Sequence, residues 1–157
     1  SFIGKSTFSM ALAADFNLTE CSCDIFCCDY SNEIKFPSLT KTKIKQFHKT
    51  SSAEMFRKLD VGLNIDLIHV DGRLEVEDCL LLKERINDNT IFIIDDFEGN
   101  EKGVANLFNL LNNKVISRTT HCVIYPIDNF VSELYGLVEK STTAVLIPIK
   151  FLKITSQ

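Results

Sequence analysis

Short, strongly apolar runs alternate along this chain with longer amphipathic ones. Residues 24–28, 43–48, 65–70, 90–94, 121–125 and 143–147 read as strands. Within them, Asp66-Leu67-Ile68-His69-Val70 and Ile91-Phe92-Ile93-Ile94 are β-branched and apolar on both faces, the pattern of strands covered by helices on both sides. The intervening stretches carry helical spacing. Residues 6–16 place Phe8, Met10, Leu12, Ala13 and Phe16, and residues 53–59 place Met55, Phe56 and Leu59. Residues 75–86 place Val76, Cys79, Leu80, Leu82 and Ile86, and residues 103–111 place Val104, Leu107, Phe108, Leu110 and Leu111. The last two strands are separated by residues 126–141, too long for a tight hairpin and read as a loop with a short helix. Strand–helix alternation of this kind predicts an α/β fold around a mostly parallel open sheet with helices on both faces.

Ligands of such sheets bind at the carboxyl ends of the strands. The residues just past each apolar run are therefore the first candidates for chemistry. They are Asp29 after the first run, Lys49-Thr50-Ser51-Ser52 after the second, Asp71-Gly72 after the third and Asp95-Asp96 after the fourth. One acid at a strand end is commonly a solvated turn or a helix cap; acids after three of four strands would all converge on one rim. His69 lies within an apolar strand run and reads as a satisfied core histidine, while His48 and His121 also fall in strand runs and carry no assigned role. At the start of the chain, Gly4-Lys5-Ser6-Thr7 leads into a helical pattern, with Gly4 as a turn residue and Ser6 or Thr7 as the cap of a helix whose N–H groups face an anion.

Length and composition narrow the class. A chain of 157 residues is one domain's length, and 45% hydrophobic with 24% charged residues is an ordinary globular balance. A net charge of −4 argues against a protein that grips duplex nucleic acid through its phosphates. No apolar run approaches the roughly 18 residues of a membrane span. Four of the six cysteines, Cys21, Cys23, Cys27 and Cys28, crowd around one strand run, poor geometry for a zinc knuckle. With Cys79 and Cys122 they read as buried thiols of a reducing, cytoplasmic setting.

Gly4-Lys5-Ser6-Thr7, then Cys28-Asp29-Tyr30-Ser31-Asn32, then Asp66-Leu67-Ile68-His69-Val70-Asp71-Gly72, then Ile94-Asp95-Asp96-Phe97-Glu98-Gly99 resemble, in order and spacing, the class I S-adenosylmethionine-dependent methyltransferases. Within them the chain is similar to the small-molecule and sugar O-methyltransferases related to catechol O-methyltransferase. The resemblance covers nearly the whole chain and implies one Rossmann-like domain over residues 1–157. The family's first strand would precede Ser1, so the domain is expected to be truncated at its N-terminus. The resemblance also implies roles. Gly4 matches the last glycine of the cofactor loop, and Ser6 the hydroxyl that meets the methionine carboxylate. Asp29 matches the acid that takes both ribose hydroxyls, and Ser51 or Ser52 the residue at the adenine edge. Asp71 matches the acid after the family's fourth strand, placed at cofactor and acceptor. In metal-dependent relatives, Asp71, Asp95 and Asp96 would hold Mg²⁺, which would lower the acceptor hydroxyl's pKa and aim it at the methyl group. Leu74 stands where relatives carry a group able to take a proton, so Glu98 is the base candidate.

The expected function is methyl transfer to a hydroxylated small-molecule acceptor, with neither a nucleic acid nor a membrane as partner and the oligomeric state open, a homo-oligomer included. Two other readings stay beside it. A P-loop nucleotide hydrolase would use Gly4-Lys5-Ser6 on phosphates and the acids of residues 95–96 on Mg²⁺. A non-catalytic relative would keep the fold and bind a metabolite or partner.

Overall fold

A computed structural model describes residues 3–97, 102–124 and 143–152, with side chains from Lys5 onward. The chain folds as two compact units, Ser1–Leu59 and Asp60–Gln157.

The first unit runs α1 (Ile3–Asn17), β1 (Cys23–Asp29), β2 (Thr42–His48) and α2 (Ser52–Lys58). The strands pair in parallel, from Cys23 opposite Thr42 to Asp29 opposite His48. No helix is assigned to residues 30–41 between them; an irregular crossover suffices to return the chain to the same end. Helix α1 packs on both strands, burying Ala11 and Thr7, and Phe8 stacks on Phe36 of the crossover with centroids 6.2 Å apart. Near its end, Asp15 accepts the amides of Lys41 at 2.6 Å and Thr42 at 2.9 Å and the Thr40 hydroxyl at 2.8 Å. The Lys41 amide bond leads the set of bonds that holds the Asp15 carboxyl down at about 2. One acid thus ties the helix to the start of β2.

The second unit runs β3 (Leu67–Val70), α3 (Val76–Lys83), β4 (Ile91–Ile94), α4 (Gly103–Asn112), β5 (His121–Ile124) and β6 (Ala144–Pro148), ending in a short 3-10 turn. Its sheet order is β3-β4-β6-β5. Strands β3 and β4 are parallel, whereas β6 lies antiparallel to both β4 and β5. Ile68, Val70, Phe92, Ile94, Ala144 and Leu146 line one buried face, completed by Cys79 and Leu82 of α3 and Leu110 of α4.

The structure is mixed α/β, as the pattern predicts, but its strands lie in a two-stranded and a four-stranded sheet and not all run parallel. The physical reason is connectivity. β5 and β6 follow one another as neighbours, so β6 returns in the opposite sense. Apolar runs read as covered on both faces also differ. Burial alternates along β3 and β4, with Leu67, His69, Ile91 and Ile93 on the less buried face. The helix expected within residues 126–141 lies outside the described residues.

Candidate functional site

In the first unit the candidate residues gather where β1 and β2 end. Asp29 is the last residue of β1 and half-buried. Its Oδ1 accepts the Ser31 amide at 2.7 Å, which fixes the carboxylate beside the strand end. Its Oδ2 has no partner among the described residues. The Asp29 carbonyl accepts the Thr50 amide at 3.2 Å, so the chain leaving β2 carries Ser51 and Ser52 to the same rim. Ser51 caps α2: its Oγ accepts the Glu54 amide at 3.2 Å while Glu54 Oε2 accepts the Ser51 amide at 2.9 Å. These bonds from Ser51 lower the Glu54 carboxyl pKa and commit Ser51 to the helix. Ser52 is the serine left over for a ligand.

Gly4 and Ser6 do not lie on a turn ahead of the first helix. Helix α1 begins by Ile3, so both stand in its first turn, and Ser6, already helical and exposed, is no N-cap. Thr7 is not the cap either, since it lies within the helix and is buried. The helix starts earlier than the apolar pattern suggested because first-turn residues need no intrahelical acceptor for their N–H groups, and glycine is tolerated there.

In the second unit, Asp71 follows β3 while Asp95 and Asp96 follow β4, and the pairing of Val70 with Ile94 sets these ends side by side. Asp95 is committed on both oxygens. His69 Nε2 lies 2.8 Å from Oδ2, and the Thr143 hydroxyl donates to Oδ1 at 2.7 Å. His69 is thus the satisfied histidine expected, though half-buried, not fully buried. Asp96 adopts φ of 55°, left-handed backbone that a non-glycine residue rarely takes. There the chain turns, and Asp96 Oδ2 meets Lys102 Nζ at 2.6 Å. The Asp96 hydrogen bond and charge, with Asp71 adding and Arg73 opposing, raise the Lys102 ammonium pKa. Asp96 is thereby paired with an ammonium. Glu98 lies outside the described residues.

Sequence reasoning missed what holds this rim. Asn106 of α4, 1% exposed, accepts the Leu74 amide at 2.8 Å and donates to the Gly72 carbonyl at 2.7 Å. Asn109 donates to the Leu74 carbonyl at 2.7 Å. The same helix starts under the second loop, where the Gly103 amide meets the Asp96 carbonyl at 3.2 Å. One helix therefore frames both loops. Two asparagines four or fewer residues apart on an otherwise apolar helix face were the available signal.

The Mg²⁺ implied by the resemblance does not fit this donor set. Both Asp95 oxygens accept protein bonds, Asp96 holds an ammonium, and among the described residues no three His, Cys, Asp or Glu side chains group as metal ligands. Two concavities lie elsewhere. Cavities of about 630 and 240 Å³ share Phe108, Leu111, Ile116, Ser117 and Arg118. The smaller reaches His121, which pairs with Pro148 at the amino end of β3 and β4, opposite the acids.

Comparisons with protein-family models, curated proteins and solved structures give no match to this chain. Among the described residues no helix is long and apolar enough to cross a membrane.

Proposed function

We propose that the chain is an S-adenosylmethionine-dependent methyltransferase acting on a hydroxyl of a small molecule or sugar, built on a Rossmann-like sheet. Support comes from two parallel strand pairs, β1–β2 with Asp29 at its carboxyl end and β3–β4 followed by Asp71, Asp95 and Asp96. The observation that carries the reading is Asp29, anchored through Oδ1 with Oδ2 left to a ligand. A carboxylate so placed suits two neighbouring hydroxyl donors, as a ribose offers. When bound, the cofactor supplies an electrophilic methyl group. In this reading Asp29 takes the ribose, Ser52 faces the base, and Gly4 and Ser6 contribute from the first turn of α1. For the second unit, the resemblance offers Asp71 and Glu98 as the acid and the base for the acceptor. Six cysteines that form no disulfide suit a reducing compartment, and the proposal places the protein in the cytoplasm.

Leu74 favours a second reading, a binding protein without turnover. It is 5% exposed and pinned through its backbone, so no proton acceptor stands at that position.

Thermal melting with S-adenosylmethionine, its demethylated product and ATP–Mg²⁺ tests the proposal. A ligand that binds the folded state at a hundred times its Kd adds about 2.7 kcal/mol. The methyl donor or its product should raise Tm and ATP should not; the reverse result sides with a nucleotide hydrolase. Calorimetry on Asp29→Ala should show affinity lower by the roughly 1.5–3 kcal/mol of bonds to an ionised acceptor. Equal affinities would place Asp29 outside the site.

A further inference from the structure

Helix α4 carries more apolar surface than its contact with the core uses. Leu110 is buried, but Phe108 is 53% exposed, and Val123 of β5 is 44% exposed. Both line the cavity of about 240 Å³, together with Leu107 and Leu111. The cavity of about 630 Å³ shares Phe108, Leu111 and Arg118 with it and adds Asp88 and Lys114. A volume of that size is within the roughly 300–1,000 Å³ of small-molecule sites, which pair an apolar wall with a few placed polar groups.

The polar groups here divide into those already used and those left over. Both ring nitrogens of His121 are taken, Nε2 by the Thr90 carbonyl at 3.1 Å and Nδ1 by the Thr120 hydroxyl at 2.9 Å. Ser117 Oγ lies 2.9 Å from the hydroxyls of both Thr119 and Thr120. The Arg118 guanidinium and the Lys114 ammonium have no side-chain partner among the described residues. Two cations against one acid, Asp88, leave a single positive charge in excess, which suits a monoanion better than a doubly charged phosphate.

We propose that these two adjoining cavities bind a small amphipathic carboxylate, its apolar chain against Leu107, Phe108 and Val123 and its head on Arg118. The planar fork of a guanidinium matches the two oxygens of a carboxylate. The site lies at the amino end of β3 and β4, away from Asp71 and Asp95, and does not rest on the methyltransferase reading. The alternative is a solvated arginine whose stem merely covers apolar surface, which would take no ligand.

Titration with octanoate, followed by amide NMR, separates the two. Saturable shifts are expected at Phe108, Leu111 and Ile116 to Val123, and not at Asp71 or Asp95. Octan-1-ol, with the same chain and no charge, should bind roughly tenfold weaker or worse, the scale of bonds to a charged group. Arg118→Gln should weaken octanoate by a similar factor while leaving octan-1-ol unchanged, and Arg118→Lys should recover part of the loss. The alcohol comparison needs no variant, so it decides even if Arg118→Gln loses its dispersed spectrum. Absence of saturable shifts, or equal affinity for octanoate and octan-1-ol, overturns the proposal, as does equal octanoate affinity of parent and folded Arg118→Gln. Two other occupants have their own signatures, and either overturns it. Nuclear Overhauser contacts from residues 125–142 to Phe108 in the ligand-free protein would put that segment in the cavity. A dimer in sedimentation that Phe108→Asp dissociates would put a second copy there.

Discussion

Replacing Asn106 by alanine tests how the rim is held. The carboxamide serves the Leu74 amide at 2.8 Å and the Gly72 carbonyl at 2.7 Å. The two losses are unequal. Leu74 is buried, so its N–H would be left without water, at about 1–3 kcal/mol. Gly72 is exposed, and its carbonyl can turn to solvent at little cost. The vacated volume adds a smaller cavity penalty, giving about 2–4 kcal/mol in all. For a chain of this length each kcal/mol shifts Tm by roughly 2–4 °C, so the variant should melt roughly 5–15 °C lower. Urea titration should show a reduced midpoint with an unchanged slope, because the folded surface is not altered. Hydrogen exchange supplies the local readout: the Leu74 amide should lose protection well beyond the global loss, while Phe92 and Ile94 in β4 should follow the global change alone. A loss below about 0.5 kcal/mol, the scale of an ordinary surface substitution, would refute the view that Asn106 holds the loop. So would a Leu74 amide that stays as protected as those of β4.

Asp15→Asn should flatten the acid limb of the first unit's stability. Its folded pKa of about 2 lies below the ordinary value, so the Asp15 contribution is complete above about pH 4 and fades as pH falls toward 2; urea titrations across that window should show the parent losing stability where the variant does not. Gly103→Ala should destabilise by about 1–3 kcal/mol, the usual range for overpacking, because the new Cβ would meet the Asp96 oxygen and Phe97 Cα at 2.7 Å; thermal melting is the check. In native protein at neutral pH, Cys21 should react with a thiol reagent before Cys79, since Cys21 is exposed while burial raises the Cys79 thiol pKa. Mass spectrometry of partly labelled protein would expose the opposite order.

Local patterns made most elements legible. The runs at residues 24–28 and 43–48 lie inside β1 and β2, and the helical spacing over residues 103–111 falls on α4, because burial on one side imposes a period that the sequence must carry. Sheet order was not legible. Whether β6 pairs beside β4 or beyond β5 depends on contacts far apart in sequence, and both arrangements suit the same apolar run of residues 143–147. At the site, the strand-end acids could be found because their position follows from strand ends alone. Their partners could not: Asp95 meets Thr143 across 48 positions of sequence, and Asn106 reaches back 34 to Gly72. The thiols show the same limit. Cys79 is buried as the apolar reading required, but Cys21 is exposed just ahead of β1, where hydropathy does not distinguish a strand from its approach.

The adjacent acids at residues 95 and 96 show how one turn divides a pair of like charges. Had β4 continued through them, they would have faced opposite sides of the sheet. The strand ends at Ile94, and Asp96 enters left-handed backbone, which aspartate tolerates better than most residues but still at some cost. That conformation leaves Asp95 between His69 and Thr143 while Asp96 turns to Lys102. Each carboxylate gains a separate partner, and the repulsion of two neighbouring anions is met without a shared ion. The cavities near Phe108 and Arg118 lie at the opposite end of the parallel strands. Volume alone would place the reaction there. The convergence of two loops, three carboxylates and an ammonium on one helix-framed rim argues for the carboxyl ends, because orientation of a reacting group depends on fixed polar atoms more than on empty space.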